Sequence, residues 1–240
     1  MIAKTNLEKV KKTAYLFLEM PIKVDSKFEF INHHPFIQET YYPVPCEKTE
    51  ENPVGLEILD VRDENNLIRV KEYFRKAIDK CRKAMDLFII INKPYSGIFF
   101  KYIKDFLDID DYTNMLEALW TEMEYPNTDV NVSKREWISM WKKADLDKIY
   151  SEEDKEVLAK LPDRFIVYRG LMDRAKVEAL SWTLDIDKAV WFAKRFGHNG
   201  KVYKAYCNKK DILVYLSCRN ESEIVVDWNK LEDIEEVSYI

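Results

Sequence analysis

The chain is predicted to adopt an α+β fold with its helices first and its sheet last. Three observations lead there. From Asp63 to about residue 161, apolar residues recur at three- and four-residue intervals, the period of helices with one buried face. After Pro162 the period falls towards two, as it does in strands. No internal repeat and no low-complexity linker separates the two regimes, so layered packing of helices on a sheet is expected rather than an array.

The elements follow in order. Residues 21–62 hold most of the prolines and little periodicity, and read as extended chain and loop. Leu67, Val70, Phe74, Ala77, Ile78, Cys81, Ala84, Met85 and Phe88 mark one face of a long amphipathic helix. Pro94 and Gly97 end its continuation, and a second helix is expected from Ile98 to Leu107. A third begins near Asp110 or Asp111, with Met115, Leu116, Leu119, Trp120 and Met123 on one face, read as core packing. Ser133 with Glu136, and Ser151 with Asp154, have the spacing of capping boxes at the starts of two more helices.

Beyond Pro162, Phe165-Ile166-Val167-Tyr168 reads as a buried strand, and Asp185 can cap a helix over 186–196. Val202 to Cys207, Ile212 to Leu216 and Glu223 to Val226 read as strands, and Val237 to Ile240 as a last edge strand. The acidic run Glu232 to Glu236 is expected to keep the end of the chain soluble. These readings divide the chain into a mainly helical part, 1–150, and a sheet-bearing part, 151–240, within one compact unit.

Composition narrows the function. Of 240 residues, 47% are hydrophobic and 34% charged, an ordinary soluble balance. A formal net charge of −5 is poorly suited to gripping nucleic acid through its phosphates, so nucleic acid is not the expected partner. No apolar run approaches the roughly 18 residues of a membrane span. Glu19 interrupts the apolar Thr13–Leu18 stretch and no small-residue cleavage site follows, so neither signal peptide nor membrane contact is expected, and the location is read as cytoplasmic. Four cysteines without paired short spacing fit reduced thiols. With three histidines, no metal site is expected. His33-His34-Pro35 lacks a recognisable Cys or Ser partner and reads as a loop pair. Lysine, isoleucine and asparagine are abundant, as in AT-rich bacterial or phage sequences.

Chemistry concentrates in three stretches. Arg169, in Tyr168-Arg169-Gly170, offers a planar fork of donors at a strand end, matched to phosphate oxygens, with a glycine beside it that lets a flat ligand approach the backbone. In Ser181-Trp182-Thr183, an extended backbone would put both hydroxyls on one face, where they can hold a backbone conformation, a ribose hydroxyl or a carboxylate. Thr183 or Asp185 also suits the entry to the next helix. In Glu221-Ser222-Glu223, alternation would place two carboxylates on one side, with Cα atoms roughly 6.5–7 Å apart. Paired like charges raise one pKa, and a carboxylate beside a cleaving N-glycosidic bond stabilises its oxocarbenium-like transition state.

In this order and spacing the three stretches resemble the arginine–serine–glutamate class of mono-ADP-ribosyltransferases, over about residues 160–230. Arg169 matches the family's aromatic-Arg-Gly motif, Ser181 the first serine of its Ser-Thr-Ser motif, Glu223 its catalytic glutamate and Glu221 the upstream residue that helps choose the acceptor. Asp187 to Ala193 is similar to the helix after the Ser-Thr-Ser strand. Trp182 departs from the family's middle threonine, and Thr183 stands for its last serine.

The resemblance implies a pair of packed mixed or antiparallel sheets forming an NAD cleft. It implies catalytic roles for Arg169, Ser181, Glu221 and Glu223, and cofactor contacts from Arg169, Gly170, Ser181, Thr183, Glu223 and Phe196. Arg169 would hold the phosphates, the Gly170 backbone the carboxamide, and Ser181 would brace Glu223. Glu223 would bind the ribose and stabilise the cation, and Glu221 would align the attacking group. Phe196, in a loop running to Gly200, would close over nicotinamide. NAD would be the substrate, without a metal, and a protein side chain the acceptor, with arginine the first guess from the Glu-x-Glu form. Two alternatives stand beside it: an NAD glycohydrolase on the same fold, and a non-catalytic partner-binding or inhibitor protein on a decayed transferase scaffold. Intact Arg169, Ser181 and Glu223 argue against the last.

Overall fold

Eight residues of alternating burial, Arg164–Leu171, form the strand around which the second half of the chain is organised (β5). The computed structural model describes residues 2–25, 27, 32–123, 126–172, 175–195, 200–218 and 221–238. The chain divides into two units, 1–115 and 116–240.

In the first unit, helix α1 (Leu7–Leu18) buries Val10, Ala14, Phe17 and Leu18. Short strands β1 (Lys23–Val24) and β2 (Asn32–His33) pair antiparallel, as do β3 (Tyr41–Pro45) and β4 (Leu56–Asp60). The expected long helix is two: α2 (Glu64–Lys80) and α3 (Ala84–Ile90). Between them Asp86 accepts hydrogen bonds from the Arg82 and Lys83 amides, which caps a new helix and stops the old one near Cys81. The next helix, α4 (Lys93–Ile103), starts five residues earlier than expected, because Pro94 sits in its first turn, where a missing N–H costs nothing. Its Gly97 is buried rather than terminating.

Helix α5 (Ile109–Glu122) begins where predicted, and the division between units falls within it. In the second unit, α6 (Lys134–Trp141) and α7 (Glu152–Lys160) open with the expected capping boxes at Ser133 and Ser151. The sheet strands are β5, β6 (Ser181–Thr183), β7 (Lys201–Asn208), β8 (Ile212–Leu216), β9 (Glu223–Val226) and β10 (Glu232–Val237). Helix α8 (Ile186–Lys194) lies between β6 and β7 and is capped by Asp185 as expected.

The six strands form one antiparallel sheet in the order β10-β7-β5-β6-β9-β8. The expected pair of packed sheets is therefore a single hydrogen-bonded sheet. It comes close to being two, because β5 and β6 pair only at Tyr168 with Thr183, whereas β5 and β7 pair along all eight residues. One face packs Phe165, Val167, Trp182, Ala205, Cys207 and Ile224 with Val157, Leu158 and Leu161 from α7 and its end. The other face packs Val202 and Tyr168 against Ala189 and Ala193 of α8.

Two expectations move. The boundary near residue 150 shifts back to 115, because α5 and α6 bring Trp120, Trp137 and Trp141 together as one buried aromatic group, and α6 and α7 pack on β8. The last strand among the described residues is the acidic run itself, Glu232–Val237, and Tyr239 and Ile240 of the expected edge strand lie outside the described residues. Its carboxylates meet cations of its neighbours: Glu236 with Lys201 at 2.7 Å, Glu235 with Lys204 at 3.2 Å, and Asp233 with Arg164 at 2.9 Å.

His34 in the first unit lies in the loop after β2, as expected, but is fully buried, whereas His33 belongs to β2. Its Nδ1 accepts from the Phe36 and Ile37 amides, so Nε2, 3.3 Å from the Leu18 carbonyl, carries the proton. Burial pushes the imidazole down to about 4. An unfolded chain takes up this proton near the ordinary value of about 6.5, whereas the folded chain resists until about 4, so stability falls as pH drops through that window, by up to roughly 3 kcal/mol. Denaturant midpoints of the wild type measured between pH 7 and 4 should therefore fall more steeply than those of His34→Gln. Equal slopes would contradict this assignment.

Candidate functional site

Arg169, Ser181 and Glu223 arrive from three strands, β5, β6 and β9. Ser181 pairs with Val225, and Thr183 with Glu223, so Ser181 and Glu223 share a face. Strict alternation would put Arg169 on the other face, with Phe165 and Val167. Arg169 reaches across because β5 and β6 part beyond Tyr168. There its Nη1 donates to the Ser181 main-chain carbonyl, and its charge interacts with the Glu223 carboxylate.

The pair is held in unusual electrostatic conditions. Each side chain keeps part of its surface open, but the Nε of Arg169 is buried and has no hydrogen-bond partner among the described residues. Burial pushes the Arg169 guanidinium down to about 10, with Glu223 opposing the shift. Burial also pushes the Glu223 carboxyl up, and neighbouring Glu221 adds to it. Hydrogen bonds from Ser181 and Trp120, and the charge of Arg169, oppose the rise. The indole N–H of Trp120 donates to Glu223 Oε1 at 3.1 Å.

The approach to Glu223 is not a regular strand. β9 begins at Glu223, and Ser222 has φ of 47°, the left-handed region that side chains other than glycine rarely occupy. The alternation argument for Glu221 and Glu223 therefore fails, although the two carboxylates do interact. Two contacts hold the strained turn: the Thr183 hydroxyl donates to the Glu221 carbonyl at 2.6 Å, and the Leu184 amide donates to the Ser222 carbonyl at 3.0 Å. Thr183 also accepts from the Asp185 amide at 3.1 Å and is buried. Of the roles open to its hydroxyl, it fills that of holding backbone.

Gly170 has a reason of its own. A Cβ there would lie 1.8 Å from the Ala189 carbonyl oxygen, so β5 and α8 touch backbone to backbone at this point. The glycine is required by helix packing, whatever its amide and carbonyl contact. Phe196 and the neighbouring Gly197, His198 and Asn199 lie outside the described residues.

Two residues near the site were not singled out in the sequence. Trp120 sits in the apolar stripe expected to be core, and only the fold shows that its indole N–H meets Glu223. Lys134 opens α6; its ammonium donates to the Glu178 carbonyl, three residues before Ser181. Burial pushes the Lys134 amine down, Glu178 opposes, and the cations Arg169 and Lys176 add to the fall. Nothing in its local sequence, a capping box, marks it as a site residue. Asn127 completes the frame by accepting from the Leu180 amide at 2.7 Å.

The arrangement can therefore offer cations and a free buried donor at one end, and a braced carboxylate at the other. Comparison of the chain with protein-family models, curated proteins and solved structures finds no match. Among the described residues, no group of three or more His, Cys, Asp and Glu side chains could hold a metal ion, and no helix is long and apolar enough to cross a membrane.

Gly170→Ala should lower unfolding stability by about 3 kcal/mol or more, because backbone on both sides must give way. Thermal melting without any ligand reads the effect. An unchanged melting temperature would show that packing does not require this glycine.

Proposed function

We propose that the protein is an NAD-dependent mono-ADP-ribosyltransferase that releases nicotinamide and passes ADP-ribose to a protein side chain, with arginine the first acceptor to test. The observation that carries this reading is the convergence of Arg169, Ser181 and Glu223 from three strands, with an unsatisfied buried Nε–H on the arginine. Unlike the unpartnered indoles of Trp137 and Trp141, which lie in wholly buried core, this donor belongs to a side chain that keeps part of its surface open, so a ligand acceptor can reach it. Phosphate oxygens suit it, since a guanidinium fork matches them and Lys134 and Lys176 supply further positive charge nearby.

In this reading the diphosphate of NAD lies at the cationic end and the nicotinamide ribose at Glu223. The bond between nicotinamide nitrogen and the anomeric carbon breaks, and its electron pair leaves with neutral nicotinamide. The sugar becomes oxocarbenium-like, and the Glu223 carboxylate stabilises that charge far more than it stabilises the ground state. Ser181 and Trp120 hold the carboxylate. Glu221, behind the strained Ser222 turn, orients the acceptor nitrogen and takes its proton as the new bond forms. A guanidinium acceptor suits it, because a carboxylate pairs with one in the same bidentate way.

The test is NAD labelled in its adenylate half, incubated with the protein and a cell lysate. Nicotinamide release with labelled protein is expected; neither would overturn the reading. Free ADP-ribose without labelled protein would make water the acceptor. Glu223→Gln should lower turnover about a hundred- to a thousandfold, because the lost charge acts at the transition state. Its affinity for ADP-ribose should change only a few-fold, read by calorimetry.

Arg169→Lys should lose affinity rather than turnover alone. Lysine keeps the charge but cannot offer the fork. ADP-ribose binding should weaken about tenfold or more, roughly the worth of one charge-assisted hydrogen bond. Affinity equal to the wild type would remove Arg169 from the phosphate end.

A further inference from the structure

Three tryptophans of the second unit form one buried group. Trp120 lies edge-on to Trp137, with ring centroids 5.4 Å apart and planes at 83°, and edge-on to Trp141 at 5.9 Å and 77°. All three rings are almost wholly buried, at 3%, 0% and 1% exposure respectively. Their polar atoms differ. The indole N–H groups of Trp137 and Trp141 have no hydrogen-bond partner among the described residues, whereas that of Trp120 meets Glu223. A tryptophan kept for bulk alone has no need to aim its only donor at the Glu223 carboxylate.

We infer that Trp120 is a positioning residue for Glu223: its indole N–H, locked in direction by the edge-on contacts with Trp137 and Trp141, fixes the orientation of the carboxylate. The inference deepens the transferase reading and rests on it for the meaning of that carboxylate. The physical basis is rigidity. A glutamate side chain has three rotatable bonds, and a carboxylate at a strand end would otherwise swing among rotamers. The Ser181 hydroxyl, on the adjacent strand, is a rotor that adapts to the carboxylate. The Trp120 N–H has no such freedom, because its ring plane is set by two neighbouring rings. It is therefore the contact that defines where the oxygen sits.

The same contact acts on ionisation. Glu223 is faced by the Ser181 hydroxyl from β6, by Arg169 from β5, by Glu221 from its own loop and by Trp120 from α5. Burial and Glu221 favour the protonated acid, and the other three favour the carboxylate. Removing the Trp120 donor takes away one of the three, so Glu223 should protonate at higher pH. A residue that only fills space would leave that titration where it is.

The experiment uses the full chain carrying Trp120→Phe, which keeps an aromatic ring against Trp137 and Trp141. A second variant, Trp120→3-benzothienylalanine, keeps the two-ring shape and removes only the N–H, so it answers the question if the phenylalanine variant folds poorly. Carbon NMR of the glutamate carboxyls, with the Glu223 signal identified by its loss in Glu223→Gln, reads the titration directly. The Glu223 midpoint is expected to move to higher pH in both variants. In nicotinamide release from NAD, kcat at neutral pH should fall about ten- to a hundredfold, the worth of one hydrogen bond to a charged group, with KM within about twofold. A Glu223 titration that does not move in the benzothienyl variant overturns the inference, even in a protein that turns NAD over. A moved titration in a protein that releases no nicotinamide supports the positioning contact and overturns the transferase reading alone.

Discussion

Where the two halves of the six-stranded sheet meet, a guanidinium and a carboxylate lie close together, both partly withdrawn from water. β10-β7-β5 on one side and β6-β9-β8 on the other share a single backbone pair, Tyr168 with Thr183. Beyond it the ladder is replaced by Arg169, which donates to the Ser181 carbonyl where a strand amide would otherwise have done so. Taking such charges out of water costs several kcal/mol each unless hydrogen bonds and opposite charge offset it. Here the offset is incomplete on both sides. Arg169 keeps a buried Nε–H without a partner among the described residues, and Glu223 keeps a raised pKa in spite of three stabilising neighbours. An apolar pair at these positions would seal the sheet at lower cost, which makes the retained charges candidates for a functional role.

The charges are also ordered in space. Lys134 feels Arg169 and Lys176 as like charges, Glu223 feels Glu221 as one, and Arg169 and Glu223 are where the two groups meet. Each group is unfavourable by itself. A ligand carrying a dianionic linker at one end and a centre of developing positive charge at the other would relieve both at once. NAD has that distribution in the transition state of nicotinamide loss more than in its ground state, which is the direction a catalyst requires. The Ser222 turn adds a third element held away from its preferred state. Its left-handed φ is maintained by Thr183 and Leu184, so the backbone from which both carboxylates project is fixed, while their rotamers are left to neighbouring contacts.

Much of this was legible in the residues, and the failures have physical causes. The α+β order, the capping boxes at Ser133 and Ser151, the Asp185 cap and the strands of the second half follow from local chemistry acting over a few residues. The long helix through Cys81 failed because periodicity continues across the break, while a single side chain, Asp86, caps a new start. The acidic last strand was missed because its register depends on Lys201, Lys204 and Arg164, which are distant in sequence. Arg169, Ser181 and Glu223 stand out by residue type and order, and the fold brings the three together. The way Arg169 reaches them was not readable, since alternation alone sends it to the opposite face. Trp120 and Lys134 were invisible for a related reason: a core stripe and a capping box explain their local sequence completely, and only the fold shows where their polar atoms point.

The position of the unit boundary follows from the same contacts. A sheet-bearing part beginning at residue 151 would contain Arg169, Ser181 and Glu223 but would lack α6 and the end of α5. It would then lose the indole donor to Glu223, the ammonium that holds the Glu178 carbonyl, and the Asn127 side chain that accepts from Leu180. Those last two contacts bracket the segment that leads into Ser181. The helical segment from Leu116 onward is therefore not a separate neighbour of the sheet. It supplies the indole that donates to Glu223 and the side chains that anchor the segment leading into β6.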